Sequence, residues 1–275
     1  MASKLHRRPR PRLASIFQVG GLSRRIRDFE LSILDGLVSR VVPFEYGRAF
    51  FDEDLPDVWD DNFLLVEGGR PSASDLAGWA EGLQGTAGLR HRKIAVPDED
   101  LGRRMTAELA SLGYSVTRLL SMALGAGEAG AADTSFVEEL DLDAAEPAVR
   151  AFYSEAPFGA DAAAVEQLLE RRRRVASVVD VRRFGVVVDG LVVSTCELYC
   201  RGDTAQIEDV ATLGAHRGRG YGSAVVAKAI REALSDEHNL VFLVADAHGR
   251  PRELYSRLGF EPVAVTYEFV RSLEA

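Results

Sequence analysis

Cysteine, methionine and tryptophan are scarce in this chain of 275 residues, with two, three and two copies respectively. Both cysteines, Cys196 and Cys200, lie in one apolar stretch. If that stretch is a strand, the spacing is roughly 13 Å, too far for a disulfide. No further ligand type stands beside them at zinc-like spacing, so no metal site is expected. They read as small core or edge residues in a reducing compartment. Long apolar runs are also missing, and none approaches the roughly 20 residues needed to span a bilayer. The basic start (Lys4, Arg7, Arg8, Arg10, Arg12) is followed by no apolar segment of the signal-peptide kind. Pro9 and Pro11 make it poor helix material. A disordered basic tail over 1–13 and a cytoplasmic location are the expectations. An excess of positive charge is lacking too. The 33 Lys and Arg stand against 42 Asp and Glu, a net charge of -9, which argues against nucleic acid as a partner.

What is present is ordinary globular material: 47% hydrophobic and 27% charged residues, enough to bury a real core. The clearest seam is Gly125-Ala126-Gly127-Glu128-Ala129-Gly130-Ala131-Ala132, small residues without a bulky apolar side chain. It gives a division into 14–124, a linker at 125–133, and 134–275. In the second block, strands are expected at 136–140, 183–188, 191–199, 206–213, 240–245 and 262–270. Helices are expected at 144–155, 161–175, from Tyr221 onward, and at 252–258. Asp189-Gly190 between apolar runs is a hairpin signal. The fold class is therefore α/β in the α+β sense: a mixed, mostly antiparallel sheet flanked by helices.

The first block is less legible, with strands expected at 63–66, 91–96 and 116–124 and helices at 74–83 and 100–112. Its segment Glu108-Leu109-Ala110-Ser111-Leu112-Gly113-Tyr114 echoes Glu253-Leu254-Tyr255-Ser256-Arg257-Leu258-Gly259-Phe260, one residue shorter. The echo points to a duplicated fold. Chance similarity of two helix ends is the competing account, since Leu-Gly-aromatic suits a glycine just past a helix. Two charge runs read as solvated surface: Arg171–Arg174 at a helix end, and Asp52, Glu53, Asp54, Asp57, Asp60 and Asp61 in a loop that lacks the ligand pattern of a calcium site.

The chemistry-bearing stretch is Arg217-Gly218-Arg219-Gly220-Tyr221-Gly222, between a strand and a helix. Glycines let the main chain approach a ligand closely, and the helix start offers free N–H groups to an anion. A P-loop would need a Lys after the last glycine. A dinucleotide fingerprint would need glycine where Ser223 stands. The turn resembles the Gln/Arg-x-x-Gly-x-Gly/Ala signature of the GNAT superfamily of N-acetyltransferases, through Arg217, Gly220 and Gly222. Leu254-Tyr255-Ser256-Arg257-Leu258-Gly259-Phe260 is similar to the second signature of that family, at the right distance. The resemblance covers roughly residues 134–271. The first half would be a degenerate copy, without the glycine signature and with Leu109 at the position of Tyr255.

The resemblance implies a GNAT-like acyl-CoA N-acyltransferase fold in tandem, with acetyl-CoA (or another acyl-CoA) as co-substrate and no metal. It implies transfer of an acetyl group to a primary amine, on a small molecule or peptide, by direct attack on the thioester. Main-chain groups of Val210, Ala211 and Thr212 would pair with the pantetheine arm. The turn, including Arg217, Gly218, Arg219, Gly220, Tyr221, Gly222 and Ser223, would hold the pyrophosphate. Tyr255 would protonate the departing thiolate, unless it merely fills the core. Where some members carry a base, eleven residues before the signature, this sequence has Gln206. Period-two alternation makes Glu208 the first candidate base, followed by Asp209 through water. His248 stands where an Asn is frequent and reads as a surface residue, with contact to the cofactor or a role as base as the alternatives. An acyl-CoA-sensing module without turnover is the competing class.

Overall fold

The computed structural model describes residues 13–125, 132–156, 159 and 161–273, with side chains of the first helix described from residue 20 onward. Most of the expected basic tail and the middle of the expected linker lie outside these residues. The first half runs α1 (Leu13–Leu37), β1 (Arg40–Phe44), β2 (Gly47–Phe51), β3 (Phe63–Val66), α2 (Ala73–Thr86), β4 (His91–Val96), α3 (Glu99–Ser111) and β5 (Ser115–Leu124). The second half begins with β6 (Val137–Leu140), α4 (Leu142–Glu155), α5 (Ala162–Val178), β7 (Asp180–Val188), β8 (Leu191–Arg201) and β9 (Thr204–Thr212). A 3-10 turn at Gly214–His216 then leads to α6 (Tyr221–Ser235), β10 (Leu240–Asp246), α7 (Arg250–Arg257) and β11 (Phe260–Ser272). Three of these have no counterpart among the expected elements: α1, β1 and β2. Glycines at 20, 21 and 36 lower the helix signal of α1, and Pro43 weakens that of β1, where an edge position tolerates it. Among the described residues no helix is long and apolar enough to cross a membrane.

One sheet of 11 strands joins both halves in the order β1-β2-β3-β4-β11-β5-β10-β9-β8-β7-β6. The pairs β3–β4 and β9–β10 are parallel, and the rest are antiparallel. The order carries an internal repeat. Each half has a run of antiparallel strands, then a parallel pair, then a helix and one more strand: β4–α3–β5 in the first, β10–α7–β11 in the second. The final strands are exchanged. β5 pairs with β10 and β11, while β11 pairs with β4 and β5. The echoed Leu-Gly-aromatic segments sit at the matching positions, with Gly113 and Gly259 at φ 86 and 98 just past α3 and α7. Only glycine takes that left-handed conformation freely.

Side-chain alternation sorts the faces. Ala205 and Ile207 of β9 pack under α6 with Val225, Ala229 and Ile230, in a core that also holds Tyr255 and Phe260. A second core under α2 and α3 takes Tyr267 and Phe269 from β11. On the opposite face, Ile26, Phe29 and Ile33 of α1 meet Val175 of α5, Tyr199 and Phe242. The hairpin at Asp189-Gly190 is made by two residues at φ 52 and 79, as a tight two-residue turn requires.

The two charge runs correct the expectation of solvated surface. Arg171 reaches the buried Asp61 at 2.8 Å, and Arg174 lies 3.3 Å from the buried Asp52. Arg172 is only 2% exposed and bonds to Glu197 at 2.5 Å and to Asp209 at 3.0 Å. The acidic loop of the first half and the arginine face of α5 thus neutralise each other across the junction of the halves. Among the described residues no group of His, Cys, Asp and Glu could hold a metal ion.

Candidate active site

Strand β9 pairs with β10 from Thr204↔Leu240 to Ile207↔Leu243 and no further. Beyond that point β9 continues beside β8 alone, and β10 beside β5 alone. The separation has a local cause. The β8–β9 register shifts between Thr195 and Glu197, so that Asp209 and Val210 stand opposite Cys196, and Asp209 takes φ 49. A non-glycine residue at positive φ is held there by its surroundings. Here Arg172 Nε donates to Asp209 Oδ2 at 3.0 Å, and the Tyr153 hydroxyl lies 3.4 Å from the same carboxylate. Such a bulge bends its strand away from the neighbour. Val210, Ala211 and Thr212 therefore line a slot with one unpaired edge toward β10.

The slot leads into the glycine turn. Ser194 Oγ lies 2.8 Å from Thr212 Oγ1 and donates to the Ala211 carbonyl at 2.9 Å, fixing the end of β9. Arg217 Nε donates to the Thr212 carbonyl at 3.0 Å. Gly218 and Gly220 adopt φ 76 and 84, and a Cβ added at either would meet nothing within 4 Å, so both border open space. At Gly222 an added Cβ would lie 3.4 Å from Thr212 Oγ1 and 3.9 Å from Leu254, so this glycine lets α6 start close to β9 and α7. The first main-chain bond of α6 runs from Ala224 N to Gly220 O, and Gly220 offers no side-chain cap. The amides of Tyr221, Gly222 and Ser223 are thus the unpaired start of a helix without an acidic residue in its first turn. Arg217 and Arg219 are exposed beside it.

The equivalent point of the first half is closed. Helix α2 begins at a Ser72–Asp75 capping box, in which each side chain satisfies a main-chain N–H of the other. Asp75 also puts a negative charge where an anion would have to sit. Leu109 replaces a tyrosine and is fully buried. The missing glycine signature is thus accompanied by a helix start that repels anions.

Tyr255 lies on α7, 7% exposed, with its ring edge against Phe260. Among the described residues its hydroxyl makes no hydrogen bond. Burial, then the charge of Glu208, holds its phenol well above the usual range, so it stays protonated at neutral pH. Glu208 is the first β9 residue beyond the paired stretch and accepts a hydrogen bond from Gln206. Burial, then the neighbouring Asp209 and Glu30, raises its carboxyl to about 8. Asp209 is committed to Arg172 and Tyr153, which disfavours it as a base acting through water. His248 is exposed on the loop after β10, where its main-chain N–H donates to Asp246. The fold thus brings Glu208, the β9 edge and the glycine turn along one slot, with the buried Tyr255 near enough to Glu208 to feel its charge.

Sequence reading missed the other wall. A cavity of about 530 Å³ opens on Gln206 and Glu208 and continues between the halves. Glu30 from α1, Asp60, Lys93 from β4 and Glu268 from β11 face it. Only the pairing of the acidic loop with the arginine run could have hinted at this junction.

Residues 136–260 match the acetyltransferase (GNAT) family. No curated protein matches the chain in sequence. Among solved structures, a conserved protein of unknown function from Staphylococcus epidermidis superposes with a TM-score of 0.66 at 13% identity, covering 86% of this chain and 94% of its own. A GCN5-related N-acetyltransferase from Kribbella flavida gives 0.62 at 19% identity, over 90% of this chain and 94% of its own. Another from Sphaerobacter thermophilus gives 0.54 at 18% identity, over 72% and 67%. At these identities the likeness is one of fold.

Proposed function

We propose, from the match of residues 136–260 to the acetyltransferase (GNAT) family, that the protein transfers an acetyl group from acetyl-CoA to a primary amine by direct attack. The observation that carries this reading is the continuous slot from the β9–β10 separation to the uncapped start of α6. Its unpaired strand edge and its amides suit an extended arm ending in a pyrophosphate, and the open space at Gly218 and Gly220 leaves the main chain accessible. Val210, Ala211 and Thr212 would bond the arm as a neighbouring strand would. The amides from Gly218 to Ser223, with Arg217 and Arg219 beside them, would hold the phosphates.

Acetyl-CoA supplies an acyl group activated as a thioester. An alkylamine arrives as an ammonium of pKa ~10 and must lose a proton before its nitrogen can attack. Glu208, with a carboxyl near 8, is matched to take that proton at mildly alkaline pH. As the new C–N bond forms, a main-chain N–H on the open edge of β9 donates to the developing oxyanion. When the C–S bond breaks, the Tyr255 hydroxyl protonates the sulfur, the second nitrogen proton returns to the tyrosinate, and Glu208 gives the first one to solvent.

The test is amine-dependent release of free thiol from acetyl-CoA by the purified full chain, across a panel of small amines and peptides. Turnover with at least one amine is the expected result. Tight CoA binding without any amine-dependent release would overturn it in favour of an acyl-CoA sensor.

A further inference from the structure

The cavity beside Glu208 has a charge balance that selects its occupant. It is lined by α1 and by strands of both halves, and three cations face it, Arg27, Lys93 and Arg171. Two of them are already neutralised. Lys93 pairs with Asp60 and, at 3.0 Å, with Glu268, and Arg171 pairs with Asp61 at 2.8 Å. Arg27 is exposed at the rim and forms no ion pair with Glu30. Among the described residues, Glu30 and Glu208 are therefore the lining carboxylates in no ion pair with a Lys or Arg, with Arg27 and Arg171 acting on them only at longer range. They come from different halves of the chain. Ser23, Arg27 and Glu30 share one face of α1, spaced four and three residues apart, which turns Glu30 into the cavity. An anionic ligand group would find both inner cations taken, whereas a cationic one would find a free carboxylate. The volume, about 530 Å³, suits a small molecule.

We propose that this cavity is the acceptor pocket and takes a small amine bearing a second cationic group, which Glu30 binds while the reacting nitrogen sits at Glu208. The proposal rests on the acyl-transfer reading above. It gives the first half a task that needs neither a glycine turn nor a tyrosine: α1 supplies the contact that distinguishes acceptors. Burial together with Glu268 raises the Glu30 carboxyl to about 7, as expected of an acid awaiting a cation.

The experiment compares α,ω-diaminobutane with butylamine, using wild type and Glu30→Gln, by thiol release and by calorimetric titration of the diamine alone. A charge-assisted hydrogen bond is worth about tenfold or more. Wild type is expected to show kcat/KM roughly tenfold higher for the diamine. Glu30→Gln should lose that preference through a KM for the diamine that rises roughly tenfold more than its KM for butylamine, both read above pH 8, where Glu208 is ionised whether or not Glu30 raises it. Unchanged CoA affinity would show that the variant is folded. Equal efficiency with both amines, or an equal loss for both in the variant, would overturn the second-cation site while leaving acyl transfer intact. Calorimetric diamine binding that Glu30→Gln abolishes, with no thiol release from any amine, would sink the transfer reading and uphold the pocket.

Discussion

At the scale of single residues, the candidate site holds two groups that both keep their protons at neutral pH and differ only above about 8, where Glu208 ionises and Tyr255 does not. Tyr255 keeps its proton because burial disfavours the phenolate. Removing the hydroxyl in Tyr255→Phe should lower kcat by ~10²-fold or more, with CoA affinity unchanged, as measured by thiol release and calorimetry. Glu208 is raised, so it holds its proton below about 8 and becomes a base only above that pH. Activity should therefore rise through that range. Glu208→Gln should flatten the inflection and reduce kcat/KM by ~10²-fold; a variant that keeps the wild-type pH profile would remove Glu208 as the base. Both residues stand as candidates from the sequence alone, Tyr255 from its motif and Glu208 from alternation along a strand. Glu30 does not. Nothing on a helix that itself goes unread can show which cavity it lines, because the partners that make Glu30 meaningful lie on α5, β9 and β11.

At the scale of elements, the start of α6 and the bulge of β9 make the slot. Gly220→Glu would force a side chain into φ 84 at a cost of ~1–2 kcal/mol and set a carboxylate at the helix start. CoA binding should be lost in calorimetry while the far-ultraviolet spectrum stays native. Arg172 ties α5 to β8 and to the bulge. Arg172→Met would leave Glu197 and Asp209 short of a buried partner, costing about 3–5 kcal/mol in a urea titration. Most elements were legible because periodicity and glycine punctuation agree with the tertiary structure. The arginine run shows the limit of that reading. On a helix considered alone, four adjacent arginines read as a solvated end. Instead Arg172 is buried against Glu197 and Asp209, and the half-buried Arg171 and Arg174 reach counter-charges on an acidic loop more than a hundred residues earlier. Pairing at that separation leaves no periodic trace.

At the scale of the whole molecule, the exchange of β5 and β11 makes the halves interdependent. Residues 134–275 expressed alone would lack β5, leaving β10 with a bare edge and β11 without either neighbour. Apolar strands exposed in that way associate with other chains. The fragment should be insoluble or aggregate in size-exclusion chromatography, and co-expression with residues 14–124 should rescue it. A soluble, active fragment would show that the second half completes its own sheet. The division at the glycine-rich seam is thus proposed as a boundary of repeats in sequence, with the sheet continuous across it.

The position of β11 also bears on how the chain is made. A ribosome delivers the first half well before Phe260–Ser272, yet β4 and β5 are held apart in the sheet by that strand. Until it emerges, the nascent first half has a gap at its centre that β4 and β5 could fill wrongly by pairing with each other. Completion of this part of the sheet is therefore deferred until Phe260–Ser272 has been synthesised. A chaperone that masks β4 and β5 in the interval would be expected to raise the yield of active protein.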